Sequence, residues 1–335
     1  MEVFLILLGV FILFFCLIDI LWTTLWTDGS AGPITEIITV VTWKIHRKTI
    51  GKISSGFLSL SETLILFNIF LTWILLLFIG WYLIFLANTD SVIDAQTEAI
   101  SNWVDKLYFV AYSLTTLGNG DLKPSKGIYQ VLTPIIAASG FATLSLSISY
   151  LISVVSAGVY KRNVASKITS IGHTTEDFII NIFTGRNFIS IDLVLNTISS
   201  DLNMLNEQLK TYPALHYFHV AEYKKSIIYA LSVLFDAINV LEFGLNEKEK
   251  PSPLVINNLR KAIDEYLKII SNTKLIKKEK DPPGISFQKI KESEIEIVDE
   301  GEFISKTQAF KEKRKLLYGL VKKDGWDWYS LMDKK

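Results

Sequence analysis

Three long apolar runs organise the first half of the chain, at residues 3–22, 64–87 and 127–160. Each is long enough to cross a hydrocarbon core about 30 Å thick as a helix rising about 1.5 Å per residue. Only Asp19 interrupts the first run. A secretory leader would start with basic residues and end in small ones. Here Glu2 stands at the start and no Ala-x-Ala pattern follows, so 3–22 reads as a retained span. Trp22 and Trp26 beside it suit an interfacial aromatic belt. The second run is bulky and reads as lipid-facing. The third is rich in small and hydroxyl residues (Ala137, Ala138, Ser139, Gly140, Ser145, Ser149, Ser153) that favour close helix contact or a wet cavity. It exceeds what a bilayer needs and should tilt or project into water. Leu107 to Tyr112, between runs two and three, form an apolar stretch too short to span, which reads as a re-entrant helix.

From residue 167 onward the pattern changes to amphipathic helices. Apolar positions at 191, 194, 195, 198, 202, 205 and 209 follow a 3.6-residue period and predict a helix over 189–209. A more apolar helix is expected over 220–245 and a third over 254–271, separated by Pro213, Pro251 and Pro253. Residues 275–301 read as a charged linker, and 303–332 as a last helix ending in Trp326, Trp328 and Tyr329. The second half is thus expected to be an antiparallel helical bundle. The chain divides into 1–60 (a span and a basic linker), 61–162 (a two-span module) and 163–335 (the bundle). The fold class is an all-α membrane protein with a water-facing helical domain.

Charge sets the expected orientation. Lys44, His46, Arg47, Lys48 and Lys52 lie between runs one and two, and Lys161, Arg162 and Lys167 follow run three. The 88–105 stretch carries Asp90, Asp94, Glu98 and Asp105 with no Lys or Arg. Basic loops stay on the cytoplasmic side. The N-terminus is therefore expected outside and the C-terminal half in the cytoplasm, across the plasma (inner) membrane. Residues 34–53 read either as an amphipathic helix on the inner surface or as a plain loop. The formal net charge is zero and no long like-charge block points to nucleic acid. Cys16, the single cysteine, excludes an intramolecular disulfide and reads as a small buried hydrophobe. His216 and His219 are three apart but lack further ligands nearby in sequence, and read as packing or surface residues.

Chemistry concentrates at Thr115, Thr116, Leu117, Gly118, Asn119, Gly120 and Asp121, between the short apolar stretch and run three. Irregular backbone at membrane depth is tolerated only where protein buries it or where it lines a cavity. This stretch resembles the T-T-V-G-Y-G-D signature of the potassium-channel superfamily, with Leu117 for Val and Asn119 for Tyr. Gly140 follows Asp121 by 19 positions, where that family places the flexible glycine of its pore-lining helix. Tyr108 and Phe109 fall where the family often has an aromatic pair bracing the filter. The resemblance covers about 61–162.

The resemblance implies a homotetramer in the lipid bilayer that passes K⁺ through a ring of backbone carbonyls, with no cofactor beyond K⁺ in the filter and no enzymatic activity. Thr116, Leu117, Gly118, Asn119 and Gly120 would bind the ion. Tyr108, Phe109, Tyr112, Thr115 and Asp121 would support the filter and its mouth. Gly140 would be the gating hinge, and Phe141, Leu144, Ile148 and Ile152 would line the cavity or simply pack the helix. Asn119 lacks the usual bracing ring, although its amide can hydrogen-bond behind the strand. A weakly selective Na⁺/K⁺ channel therefore stays open as an alternative. So do a potassium-transporter subunit, which a single pore copy disfavours, and a membrane-anchored sensor. No G-x-G-x-x-G or P-loop marks a nucleotide-binding module, and no Arg-rich helix marks a voltage sensor.

Overall fold

A computed structural model describes residues 1–26, 31–49, 60–183, 191–246, 250–271 and 281–328. The chain divides into two compact units. The first comprises Met1–Ile45, Glu62–Val155 and Thr211–Ala214, and the second His46–Ser61, Ser156–Lys210 and Leu215–Lys335.

In the first unit, α1 (Glu2–Leu25) and α3 (Ser61–Ala87) bury matching faces. On α1 these are Gly9, Leu13, Cys16, Ile20 and Thr23, at helical spacing. On α3 they include Ile65, Ile69, Trp73, Leu77 and Phe85. Gly9 meets Gly80 so closely that a Cβ on Gly9 would lie 2.6 Å from the Gly80 carbonyl oxygen. Phe67, Leu71, Leu75 and Ile79 stay exposed on α3, so only one face of this bulky run suits lipid. Asp19 is fully buried. It accepts hydrogen bonds from Ile34 N–H (2.8 Å), Thr35 N–H (3.2 Å), Thr35 Oγ1 (2.6 Å) and Trp73 Nε1 (2.9 Å). The interrupting carboxylate thus satisfies orphan donors at the start of α2 (Pro33–Thr49). Ile37, Val41 and Ile45 form an exposed apolar stripe on α2, the amphipathic reading of this stretch. Residues 50–53 of that expected helix lie outside the described residues.

Beyond α3, strand β1 (Val92–Asp94) pairs antiparallel with β2 (Leu122–Pro124), Val92 opposite Pro124 and Asp94 opposite Leu122. The short helix α4 (Trp103–Leu114) lies between the two strands in sequence. Asn102 starts it with a reciprocal cap, accepting from the Asp105 N–H while Asp105 accepts from the Asn102 N–H. The third apolar run begins a helix of 44 residues, α5 (Ile128–Ile171). At about 66 Å it is roughly twice the thickness of a hydrocarbon core.

The second unit is built around α8 (Ile227–Asn239), of which all but Ile228 is buried. The expected 220–245 helix is shorter at its start, because the Ser226 hydroxyl accepts from Tyr229 N–H and caps it. It ends in one wide turn, Val240–Gly244, with i→i+5 bonding. Helices α6 (Thr175–Ile182) and α9 (Pro253–Ser271) pack on it, and α7 (Asp192–Thr211) buries its own apolar face, Leu195, Ile198, Leu202, Leu205 and Leu209. The expected linker holds the short helix α10 (Gln288–Glu292) and the start of α11 (Glu300–Thr307), which Asp299 caps. The expected last helix is split, since a 3₁₀ turn at Gln308–Phe310 divides α11 from α12 (Lys311–Lys323). Residues 189–190, 275–280 and 329–332 of those readings lie outside the described residues. In α8, Asp236 is fully buried and paired with Arg314 through bonds of 2.7 to 2.9 Å.

Among the described residues four helical stretches are long and apolar enough to cross a membrane. The fourth, Ile227–Gly244, is 83% buried within the protein and is a core helix.

Candidate functional site

The site begins where α4 ends. Leu117 N–H donates to the Tyr112 carbonyl (2.8 Å) and Thr116 N–H to the Ser113 carbonyl (3.1 Å). These are the paired bonds of a Schellman terminus, with Thr116 in the left-handed position that glycine usually takes. Thr116 has φ +58°. A β-branched residue there costs about 1–2 kcal/mol. Gly118 and Gly120 follow with φ of +62° and +78°, whereas Leu117 and Asn119 keep negative φ. Along an ordinary strand successive carbonyls point to opposite sides. Reversing the sign of φ at every second residue cancels that half-turn and lets them turn to one side. Residues 115–121 are exposed, with open space around Gly118 and Gly120.

Behind this loop stands an aromatic wall. Phe109 is buried against Phe85 (ring centroids 5.5 Å apart) and Tyr112 (5.3 Å), and Tyr129 closes on Phe85 at 5.2 Å. The Asn119 amide donates to the Tyr108 hydroxyl, and Tyr108 packs edge-on against Tyr112 at 5.1 Å. Tyr112 Oη donates to the Leu122 carbonyl (2.7 Å), and Ala95 N–H to the Asp121 carbonyl (2.9 Å). The β-ribbon therefore anchors the far end of the loop as α4 anchors its start. Thr115 Oγ1 donates back to the Ala111 carbonyl (3.0 Å).

The long helix passes the loop at Gly140. A Cβ there would lie 2.0 Å from the Leu114 carbonyl oxygen, so this glycine has a steric reason, and α5 runs through it unbroken. Phe141, Leu144, Ile148 and Ile152 continue along α5 as one exposed stripe, 66% and 63% exposed at its two ends. The described residues leave them largely uncovered. Ser149 and Ser153 donate their hydroxyls to backbone carbonyls one turn earlier.

In the second unit, Lys161 near the end of α5 donates to the carbonyls of Leu215 (2.8 Å) and Phe218 (3.2 Å). Tyr160 and Lys167 both reach Asp201, at 3.0 and 2.7 Å. His219 Nδ1 bonds Asp324 (2.9 Å), which also accepts from Ser226 Oγ (2.7 Å) and Trp326 Nε1 (3.1 Å). Burial pushes the Asp324 carboxyl up, but the His219 bond and charge together with Ser226 hold it below the usual carboxylate range. Burial and the Lys161 charge bring His216 down to about 4. His216 and His219 thus join no metal cluster among the described residues. Sequence proximity hid the Asp324 partner, which is 105 positions from His219.

Sequence reasoning also missed the ribbon, whose strands have three residues each, and the Asp19 cap. A single carboxylate inside an apolar run was the available signal for the cap.

A short capped helix, a glycine loop of alternating handedness and a long flanking helix define a two-span pore module. A family model described as "Ion channel" matches residues 63–157, and those residues form an ion-channel domain. The chain is 34% identical over 320 residues to the "Uncharacterized membrane protein YdjJ" of Bacillus subtilis (strain 168), covering 96% of this chain and 94% of the relative. The chain belongs to the family of that membrane protein. No solved structure matches it.

Proposed function

We propose that four copies of this chain assemble in the plasma membrane around a common axis and form a potassium-preferring channel. The carbonyls of Thr116, Leu117, Gly118, Asn119 and Gly120, with the Thr116 hydroxyl, replace the water shell of K⁺ as it passes. The observation that carries this reading is the positive φ at Thr116, Gly118 and Gly120, alternating along five residues. One chain offers one such loop, so a closed ring needs several chains. The C-terminus of α4 carries the partial negative charge of a helix end and stabilises a cation at the inner entrance.

The exposed stripe from Phe141 to Ile152 lines the cavity or the subunit interface, and α5 gates by bending near Gly140. Loop charge supports an external N-terminus and a cytoplasmic second unit, which assembles the tetramer and transmits a signal through its hold on Tyr160, Lys161 and Lys167. Asn119 takes the place of the bracing ring through its bond to Tyr108, which keeps K⁺ preferred over Na⁺.

Current from purified protein in planar bilayers under opposed K⁺ and Na⁺ gradients tests this. The reversal potential should lie near the K⁺ equilibrium value. Absence of current, or a reversal potential near the Na⁺ value, would sink the reading. Mass photometry of the same preparation should give a tetramer.

A further inference from the structure

The second unit holds a cavity of about 240 Å³ between the end of α8 and the corner where α11 turns into α12. Pro282, Ile285, Phe303, Ile304 and Phe310 give it apolar walls. An apolar cavity of about 150 Å³ holds benzene, so this space admits one ring with a short substituent. One wall is braced from behind. The Arg260 guanidinium stands 4.1 Å from the centre of the Phe310 ring and also bonds Glu242 and Asn239.

Asn239 points to an occupant. Its side chain lines the cavity, and the residue is 1% exposed. Oδ1 accepts from Arg260 Nη1 at 3.1 Å. A guanidinium only donates, so Arg260 fixes which end of the carboxamide faces it. Nδ2 is thereby turned the other way, toward the cavity. The little surface Asn239 keeps includes Nδ2, which donates to no group among the described residues. An N–H held this deep without an acceptor is costly, and an acceptor in the cavity would satisfy it.

The surrounding charges narrow the class of occupant. Both cations lining the cavity among the described residues are engaged, Arg314 by Asp236 and the Pro283 carbonyl, and Lys311 by Asp281 at 3.1 Å. Glu300 stands exposed at the rim. An anion would find no open countercharge and would meet the carboxylates of Asp281 and Glu300. An ammonium ion has no lone pair to offer Nδ2. A neutral carbonyl meets the need without burying a charge.

We propose that this cavity binds a small neutral molecule, one ring bearing a carbonyl acceptor. The ring packs against Phe303 and Phe310, and the carbonyl oxygen accepts from Asn239 Nδ2. The site lies within the second unit, so its occupancy stands apart from K⁺ conduction and does not rest on the channel reading.

The test is fluorine NMR of the purified full-length protein in detergent with three matched probes: para-fluorobenzamide, para-fluorobenzoate and para-fluorobenzylamine, the last a cation at neutral pH. We expect one saturable site per chain for the benzamide. The other two should bind about tenfold more weakly, the cost of one unmet hydrogen bond. Asn239→Asp keeps the acceptor for Arg260 but removes the donor facing the cavity, and should weaken benzamide binding by about the same factor. Ile304→Trp, at a position 57% exposed, fills the cavity from its rim without disturbing the core. It should abolish the saturable signal while uptake by detergent persists. No saturable binding of the benzamide by the wild-type protein overturns the proposal. So does benzylamine binding at least as tightly, which would make the rim carboxylates the determinant. Benzamide binding that survives Asn239→Asp or Ile304→Trp unchanged overturns it as well, since the probe then sits elsewhere.

Discussion

The long helix α5 and the core helix α8 with its wide turn are both apolar enough to cross a membrane, yet 22% of the most apolar 18 residues of one are buried against 83% in the other. The same composition has two outcomes, decided by what surrounds it. In α8, Leu231, Leu234 and Phe235 are fully buried, and each such side chain contributes about 1.5–3 kcal/mol. On α5 the stripe from Phe141 to Ile152 is left largely uncovered by the described residues, so its full burial depends on lipid or on other chains. The second unit completes its own core, while the first leaves apolar surface for others to cover. Their buried aspartates differ in the same way. Asp236 is matched by a full countercharge on Arg314, whereas Asp19 is held by four neutral donors.

That contrast can be broken at several points, most strongly at Asp236. Asp236→Ala leaves Arg314 without its countercharge and should cost about 3–5 kcal/mol, read as a fall in the unfolding midpoint followed by tryptophan fluorescence. Acid comes next. His216 is held at about 4 when folded, against an ordinary value of 6.5. The unfolded chain therefore binds the extra proton first, and stability falls as pH drops from about 6.5 toward 4, by at most about 3 kcal/mol. Asp324, held below its usual range, adds a loss of its own only once pH falls below about 4. Denaturant titrations at pH 7 and pH 5 check this, and an unchanged midpoint refutes it.

In the first unit, Asp19→Ala orphans the donors on Ile34, Thr35 and Trp73 and should cost about 2 kcal/mol, measured as thermal stability in detergent. Thr116→Gly relieves the left-handed strain and should gain about 1 kcal/mol while K⁺ current falls. A loss of stability would show that the hydroxyl, not the backbone, governs that position. The smallest effect is expected from Asn119→Tyr. It should shift the reversal potential modestly toward the K⁺ value, and no shift would show that a ring at 119 adds nothing to ion preference beyond the Asn119 to Tyr108 bond.

The spans, the short helix and the glycine loop were legible in the sequence because each is a local signal, carried by run length or by two glycines at fixed spacing. Gly140 was legible only by resemblance; its contact with the Leu114 carbonyl is not written in its neighbours. Long-range pairs left no local trace. Asp236 and Arg314 are 78 positions apart, and Asp19 and Trp73 are 54 apart. The 220–245 reading was too long at its start because apolar periodicity continues past a cap. The split between α11 and α12 lies in a stretch whose composition suits one helix throughout.

One missing methyl group governs the geometry at residue 140. Because the hydrogen of Gly140 takes up so little room, the rod formed by α5 lies almost in contact with the last carbonyl of α4. Any larger residue would wedge the two apart by an atom's width. In the ring of four subunits proposed above, that displacement would repeat at each quarter turn, so the bore of such a pore would be calibrated by the smallest side chain in the protein.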